Sequence, residues 1–499
     1  SISDDRRLQA LLIAFSFGAF IEGAAGFGTP VAITSAMLAG LGFNPLYAAS
    51  LCLLANTAPV AWGAIGIPIV VGGQVAGIPD LALSQMVGRT LPILSVFVPL
   101  YLVVLMAGWK KGLEVWPACL VSGGSFAIAQ YFSANSPLTA PLLPDLIASI
   151  ASIICTVAFL KIWHPKESWH FDHEPKREGK AKLMYTGGQV FRAWAPFIIL
   201  SLFVCAWGIK PVNQALDQMT KAVFDFTFPI AGLDKMVIDQ AGKAKPAAYK
   251  FNVLSAAGTA ILFAWFFSIV VMGASLKTAG GVARDTLKTL KWPIVTIATI
   301  LGFAYIMNFS GMAITLGYAV ATTGVAFPFF AALLGWLGVF MTGSDTSTNA
   351  LFGKLQAVTA EKLGIDPVIA MSANTCGGVC GKMISPQSIS VATGSTGMVG
   401  RESEIFRFTF KHSIAMACIV GVLHLLWAYV FPGIVPAYVK PVAAAAAAVA
   451  AGAKASINPD GLMWLGIFVG IITCVTLLAR RLGANLEAPV EGHDEVHFH

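Results

Sequence analysis

Four ionisable side chains lie where an apolar sequence has little reason to keep them. Glu22, Asp345, Lys354 and Lys382 fall within or beside long runs of Leu, Ile, Val, Phe and Ala. A charged group at the centre of a bilayer costs about 2.5–3.5 kcal/mol on insertion scales, so retaining one asks for a reason. Lys382, between Gly381 and Met383 and one turn before Ser385-Pro386, is placed to neutralise a bound carboxylate. Asp345 and Glu22 are placed to carry a proton, because a carboxyl group out of water resists ionisation. A plainer reading also stands, in which Asp345 and Lys382 pair with each other. Lys354 reads best as a side chain whose charged end reaches the outer surface.

Around these charges the chain is rich in residues that bind anions without being charged. Gly23, Gly26, Gly28 and Thr29 form one group, and Asn56 and Thr57 a second. A third comprises Gly343, Ser344, Thr346, Ser347, Thr348 and Asn349 around Asp345, and a fourth comprises Asn374, Thr375 and Ser385. Where a helix is interrupted, its second half presents free amides and a positive dipole end, which suits an anion. Hydroxyl and carboxamide side chains add adaptable hydrogen bonds. Singly, each residue is as readily a device for close helix packing; as four clusters they point to a binding site. His424 reads as a hydrogen-bonded packing histidine rather than a relay, and His164, His170 and His173 as solvated. The eight cysteines are scattered, and Cys376 and Cys380, with no nearby histidine, read as small packing residues rather than metal ligands. No cofactor is expected.

The elements that must hold these clusters are membrane helices. Of 499 residues, 57% are apolar and 11% charged, with a mean hydropathy of +0.75. A soluble domain carries roughly 25% charged residues to coat its surface, so lipid must face much of this chain. The net charge of +7 sits in loops and fits a positive-inside bias and lipid headgroup contact, with no nucleic-acid partner implied. Spans are expected at Leu91–Ala107, Val115–Phe132, Leu146–Leu160, Phe191–Trp207, Phe251–Met272, Trp292–Asn308, Ile314–Met341, Ser413–Phe431 and Leu462–Leu478. The basic clusters at 6–7, 109–111, 161–182, 273–291, 401–411 and 480–481 then all fall on the cytoplasmic side, and 209–249 forms an external cap. The chain begins at Ser1 with no signal peptide, which is read as an N-terminus lacking upstream helices.

Two stretches refuse to be plain spans. Residues 9–41 are broken by Glu22-Gly-Ala-Ala-Gly-Phe-Gly-Thr-Pro30 into arms of about 12 residues, the length of re-entrant halves. Residues 45–72 are broken by Asn56-Thr-Ala-Pro59. Irregular backbone at membrane depth persists only where protein or a water-filled cavity satisfies its amides. Both features recur about 320 positions later. Phe340–Ser347 parallels Phe20–Ala25, and Leu363-Gly-Ile-Asp-Pro367 parallels Leu41-Gly-Phe-Asn-Pro45. Asn374-Thr375 parallels Asn56-Thr57, and Ile384-Ser-Pro386 parallels Gly66-Ile-Pro68. The first set enters from the cytoplasm and the second, counting spans, from outside, so the repeats are inverted. The fold class expected is therefore all-α, a polytopic membrane protein with inverted repeats, re-entrant hairpins and broken transmembrane helices. Residues 1–160 hold the first repeat and 161–326 the linking loops and spans. Residues 327–432 hold the second (hairpin 327–360, broken helix 366–400), and 433–499 form an Ala-rich linker, one more span and a tail.

This pattern is the signature of a secondary transporter with its substrate near the midplane. An anion channel would need a ring-like pore instead. A membrane enzyme would need a catalytic cluster, and neither a His-x-x-Glu-His motif nor a phosphate-binding loop is present. Sodium-coupled carboxylate symport stays open, since unwound carbonyls suit sodium. The scarcity of intramembrane arginine argues against di- and tricarboxylates.

Several runs are specific enough to name a family. Phe20-Ile-Glu-Gly-Ala-Ala-Gly-Phe-Gly-Thr-Pro-Val-Ala-Ile33, Ala55-Asn-Thr-Ala-Pro-Val-Ala61, Gly123-Gly-Ser-Phe-Ala-Ile-Ala-Gln130, Leu334–Ser347 and Met383-Ile-Ser-Pro-Gln-Ser-Ile389 resemble the L-lactate permease family, over about residues 1–432. The resemblance implies a multi-pass permease of the bacterial inner membrane that takes lactate and glycolate with protons. Family members have helices upstream of the position of Ser1, and the tail beyond about residue 440 is not part of the pattern.

Overall fold

The computed structural model describes residues 3–438, apart from 27, 172–186, 224–226, 239–243, 245–246 and 251–252. The expected Ala-rich linker and the span Leu462–Leu478 lie outside the described residues.

The chain forms α1 (Arg6–Ala24, with a π-helical stretch at Leu11–Phe17), α2 (Thr29–Gly40), α3 (Pro45–Ala55), α4 (Gly63–Ala76) and α5 (Asp80–Val87). There follow α6 (Leu91–Leu113), α7 (Trp116–Asn135), α8 (Pro144–Ile162), α9 (Gly187–Gly208) and α10 (Lys210–Val223). A small antiparallel ribbon, β1 (Thr227–Pro229) with β2 (Ala248–Lys250), lies in the segment expected as an external cap. Next come α11 (Ala257–Met272), α12 (Leu276–Ser310), α13 (Met312–Val320), α14 (Phe327–Thr342), α15 (Asp345–Lys362), α16 (Pro367–Gly381), α17 (Pro386–Thr396) and α18 (Glu402–Tyr429). Five helices are long and apolar enough to cross a membrane, or seven if each bent pair counts as one span. The protein is a multi-pass, helical membrane protein.

Two expectations need correction. The charged stretch 273–291 is not a loop but the first half of α12, 35 residues long, which Ser275 caps by accepting from the Thr278 amide. The first arm of the first hairpin is 19 residues, not about 12. Asp5 lengthens it: its carboxylate accepts from the Arg7 amide at 2.8 Å and thereby caps a polar first turn.

The two faces of the bundle are each tied by one arginine. Arg7, wholly buried, pairs with Asp5 at 2.6 Å and reaches the Lys111 carbonyl, the Glu114 carboxylate and the Glu167 carbonyl. It so joins the start of α1, the end of α6 and the loop after α8, three places whose basic residues predict one cytoplasmic side. On the opposite face Arg89 donates to Asn135 at 3.1 Å and to the Ile434 carbonyl, and Tyr438 donates to Asp366. All five of these residues fall outside the cytoplasm in the sequence topology.

The repeats meet crosswise. The second arm of the first hairpin, α2, packs on α17, the second half of the other repeat's broken helix. Reciprocally, α15 of the second hairpin packs on α4. The entry turns of the two broken helices are near-copies. Gly42 and Gly364 are both left-handed (φ +97° and +71°), as the turn requires. Asn44 and Asp366 each cap a helix that begins with proline, accepting from Leu46 at 2.9 Å and Val368 at 3.1 Å.

Candidate functional site

The first broken helix comes apart over eleven residues. Pro59 has no amide proton and its ring excludes Ala58 from helical backbone, so α3 stops at Ala55. The chain then passes a turn and one 3-10 turn, Val60–Trp62, and resumes only after Ala64, Ile65 and Gly66, all left-handed. The halves are bent by 65°. The second broken helix behaves otherwise. With no proline between Pro367 and Pro386, α16 runs unbroken to Gly381, and only Lys382–Ser385 interrupts it. The expected interruption at Asn374-Thr375 is therefore corrected: both residues lie inside α16.

Asn374 and Thr375 accordingly do different work from Asn56 and Thr57. Asn374 donates to Asn349 Oδ1 at 2.8 Å and accepts from Gln356 at 3.1 Å; Thr375 donates to the same Asn349 oxygen at 3.1 Å. Asn349 in turn donates to the Pro68 carbonyl of α4 at 3.0 Å, while Gln356 also reaches the Ala331 carbonyl. This network ties α14, α15 and α16 to the other repeat. The glycines of α16 serve it: a Cβ on Gly377 or Gly381 would collide with the Ala332 or Trp336 carbonyl of α14.

At the other break the polar atoms are left open. Both carboxamide atoms of Asn56 and the hydroxyl of Thr57 are buried without a hydrogen-bond partner. So are Glu22 Oε2, Ser347 Oγ and both carboxylate oxygens of Asp345. Buried polar groups are almost always paired, and an orphan costs about 1–3 kcal/mol. A concentration of orphans thus marks a place where something else binds. Lys382 lies in its midst, buried and within electrostatic reach of both Glu22 and Asp345, and Glu22 and Asp345 also sense each other. The Asn56 carboxamide sits beside the Glu22 carboxyl without meeting it in hydrogen-bond geometry. Glycine makes room for this cluster, since a Cβ on Gly63 would strike the Glu22 carboxylate and one on Gly378 would strike Asp345.

The remaining expected residues cap helices or allow elements to pack closely. Gly343 ends α14 in left-handed backbone and Ser344 caps α15, accepting from the Ser347 amide at 3.2 Å. Ser385 caps α17 in the same manner, at 3.2 Å from the Ser388 amide. Gly28, left-handed (φ +85°), starts α2 against Val391 of α17, Gly26 lies on Ala64, and Gly23 abuts the backbone of α8. Thr29 and Thr346 are half-buried. His424 has both ring nitrogens engaged, with Ser372 and the Val420 carbonyl, as a packing histidine would.

Sequence reasoning missed Asp145. It stands in the first turn of α8, where an acid is ordinary helix chemistry, yet it is 1% exposed, and its Oδ2 has no partner. Among the described residues no group of three or more His, Cys, Asp or Glu is arranged to hold a metal ion.

Comparison with known proteins gives this arrangement a context. The sequence profile of a family described as L-lactate permease matches residues 1–431. The chain is 51% identical to the L-lactate permease of Bacillus subtilis (strain 168) over 457 residues, 87% of this chain and 81% of that one. It is also 51% identical to the glycolate permease GlcA of Escherichia coli (strain K12) over 451 residues, 87% and 80% of the two chains. An L-lactate permease of Halalkalibacterium halodurans is 35% identical over 436 residues, 86% of this chain and 79% of that one. The solved Alcanivorax borkumensis YdaH transporter aligns over 86% of each chain at 13% identity, with a TM-score of 0.36, too distant to carry any argument.

Proposed function

The chain belongs to the L-lactate permease family, and from that premise we propose that it imports L-lactate and related small 2-hydroxy monocarboxylates, including glycolate and D-lactate, each with a proton, across a bacterial inner membrane. The observation that carries this reading is the set of buried, unpartnered polar atoms gathered about Lys382. A monocarboxylate brings one negative charge and a hydroxyl. Its carboxylate sits against Lys382, and its hydroxyl bonds to Asn56, Thr57 or Ser347, so the ligand satisfies polar atoms that the protein leaves unpartnered. Lys382 provides a single cation for one carboxylate, which matches a monoacid better than a diacid.

Coupling follows from charge. An anion entering a negative interior works against about 2.3 kcal/mol per 100 mV. One proton, held on Glu22 or Asp345, cancels that cost and lets the pH gradient drive uptake. The two hairpin tips then open alternately to the two sides of the membrane. The test is uptake of labelled lactate by protein reconstituted in liposomes with an imposed pH gradient. Accumulation that rises with the gradient and is competed by glycolate is expected. Uptake indifferent to pH but dependent on sodium would remove the proton; absence of lactate counterflow would remove the substrate.

A further inference from the structure

A third acid borders this site. Asp145 enters from α8, whose first turn lies directly on Gly23 of α1, the neighbour of Glu22. A Cβ at Gly23 would come within 3.2 Å of the Asp145 Cβ and 3.0 Å of the Leu146 nitrogen, so glycine there is what admits the acid. Asp145 Oδ1 accepts from Gln130 Nε2 at 3.0 Å; the same nitrogen donates to the Ala58 carbonyl at 3.1 Å, and Ser95 donates to Gln130 Oε1 at 3.1 Å. The Trp62 backbone lies beside it. Asp145 is thereby pinned by α7 to the broken segment of the first repeat, with one oxygen fixed and the other, fully buried, left without a partner.

Charge balance decides what that free oxygen is for. Glu22 and Asp345 share the field of Lys382, whereas the charged neighbour that bears on Asp145 is Glu22. From the elements packed on it, α1 brings Glu22 to Asp145, α7 supplies neutral Gln130, and the break supplies backbone. One lysine against three carboxyl groups leaves two charges uncompensated out of water if all ionise, which a low-dielectric site does not support. A proton on a carboxyl removes each surplus charge.

We propose that Asp145 is a second proton-binding site, adjoining Glu22, and that a proton passes between these two carboxyl groups during transport. The transfer is balanced: Glu22 gives up its proton and becomes the carboxylate that Lys382 compensates, and the Asp145 carboxylate takes that proton and becomes neutral. Gln130 is a positioning residue, holding Oδ1 so that Oδ2 faces the exchange. The proposal rests on proton coupling as read above.

The test measures, in one set of liposomes, pH-driven lactate uptake and lactate counterflow at equal pH. In Asp145→Asn, which keeps an acceptor for Gln130, the ratio of driven uptake to counterflow should fall at least about tenfold, and Asp145→Glu should restore part of it. An unchanged ratio, or counterflow lost in step with driven uptake, overturns the proposal. Should Asp145→Asn fail to fold, Gln130→Leu serves: the midpoint of the pH profile should move, and a profile superimposable on that of the native protein overturns the proposal. Wild-type uptake without any pH drive would instead sink the proton coupling itself.

Discussion

The two broken helices begin alike and end differently, and the difference assigns them separate tasks. Each opens with a left-handed glycine, an Asx cap and a first-turn proline, 322 residues apart. Beyond that turn the first unravels at Asn56 and leaves its polar atoms unpartnered, while the second stays helical past Asn374 and engages Asn374 and Thr375 with Asn349. The first break thus holds unpartnered carboxamide and hydroxyl atoms, and the second sets the buried cation of Lys382 at the end of an unbroken helix.

The widest effect is expected at the cation. Lys382→Met should lower lactate transport about 100-fold or more, because it leaves two carboxyl groups facing an anionic ligand. Lactate counterflow within a few-fold of native would show that the second break does not hold the charge. Next comes a contrast between like residues. Asn374→Ala should cost about 2 kcal/mol of stability, since it removes two hydrogen bonds of a buried network, to Asn349 and from Gln356, and this reads out as a lower melting temperature in detergent. Asn56→Ala should leave melting nearly unchanged but raise the KM for lactate about tenfold, the loss of one ligand hydrogen bond. If the two variants exchange phenotypes, the division of labour is the reverse of that stated. The smallest effect sharpens the symmetry. Asn44→Ala should cost about 1 kcal/mol, an ordinary cap, and Asp366→Ala somewhat more, because Asp366 also accepts from Tyr438.

Much of this was legible in the residues. The paired turns could be read because proline fixes φ, glycine admits left-handed backbone and an Asx side chain caps a helix, local effects that need no distant partner. Glu22, Asp345 and Lys382 stood out because charge in an apolar run is costly wherever it finally sits. What escaped was whatever depends on partners distant in sequence. Asn374-Thr375 looks like Asn56-Thr57 as a dipeptide; only Pro59, without a counterpart near residue 377, separates a break from a helix, and only Asn349 and Gln356 make the second pair structural. Asp145 was hidden by its position, since Pro144-Asp145 is also how an ordinary helix begins. The 273–291 stretch shows that density of charge says where water is, not whether the backbone coils.

The crosswise seating of α2 on α17 and of α15 on α4 has a mechanical consequence. A hairpin that leaned on its own repeat could swing alone, like a door on its own post. Here the second arm of each hairpin is seated on the opposite repeat as well as on its own broken helix, so displacing a hairpin disturbs both repeats. The two repeats are thereby joined by two helix seams, and drawing them apart would have to open both at once.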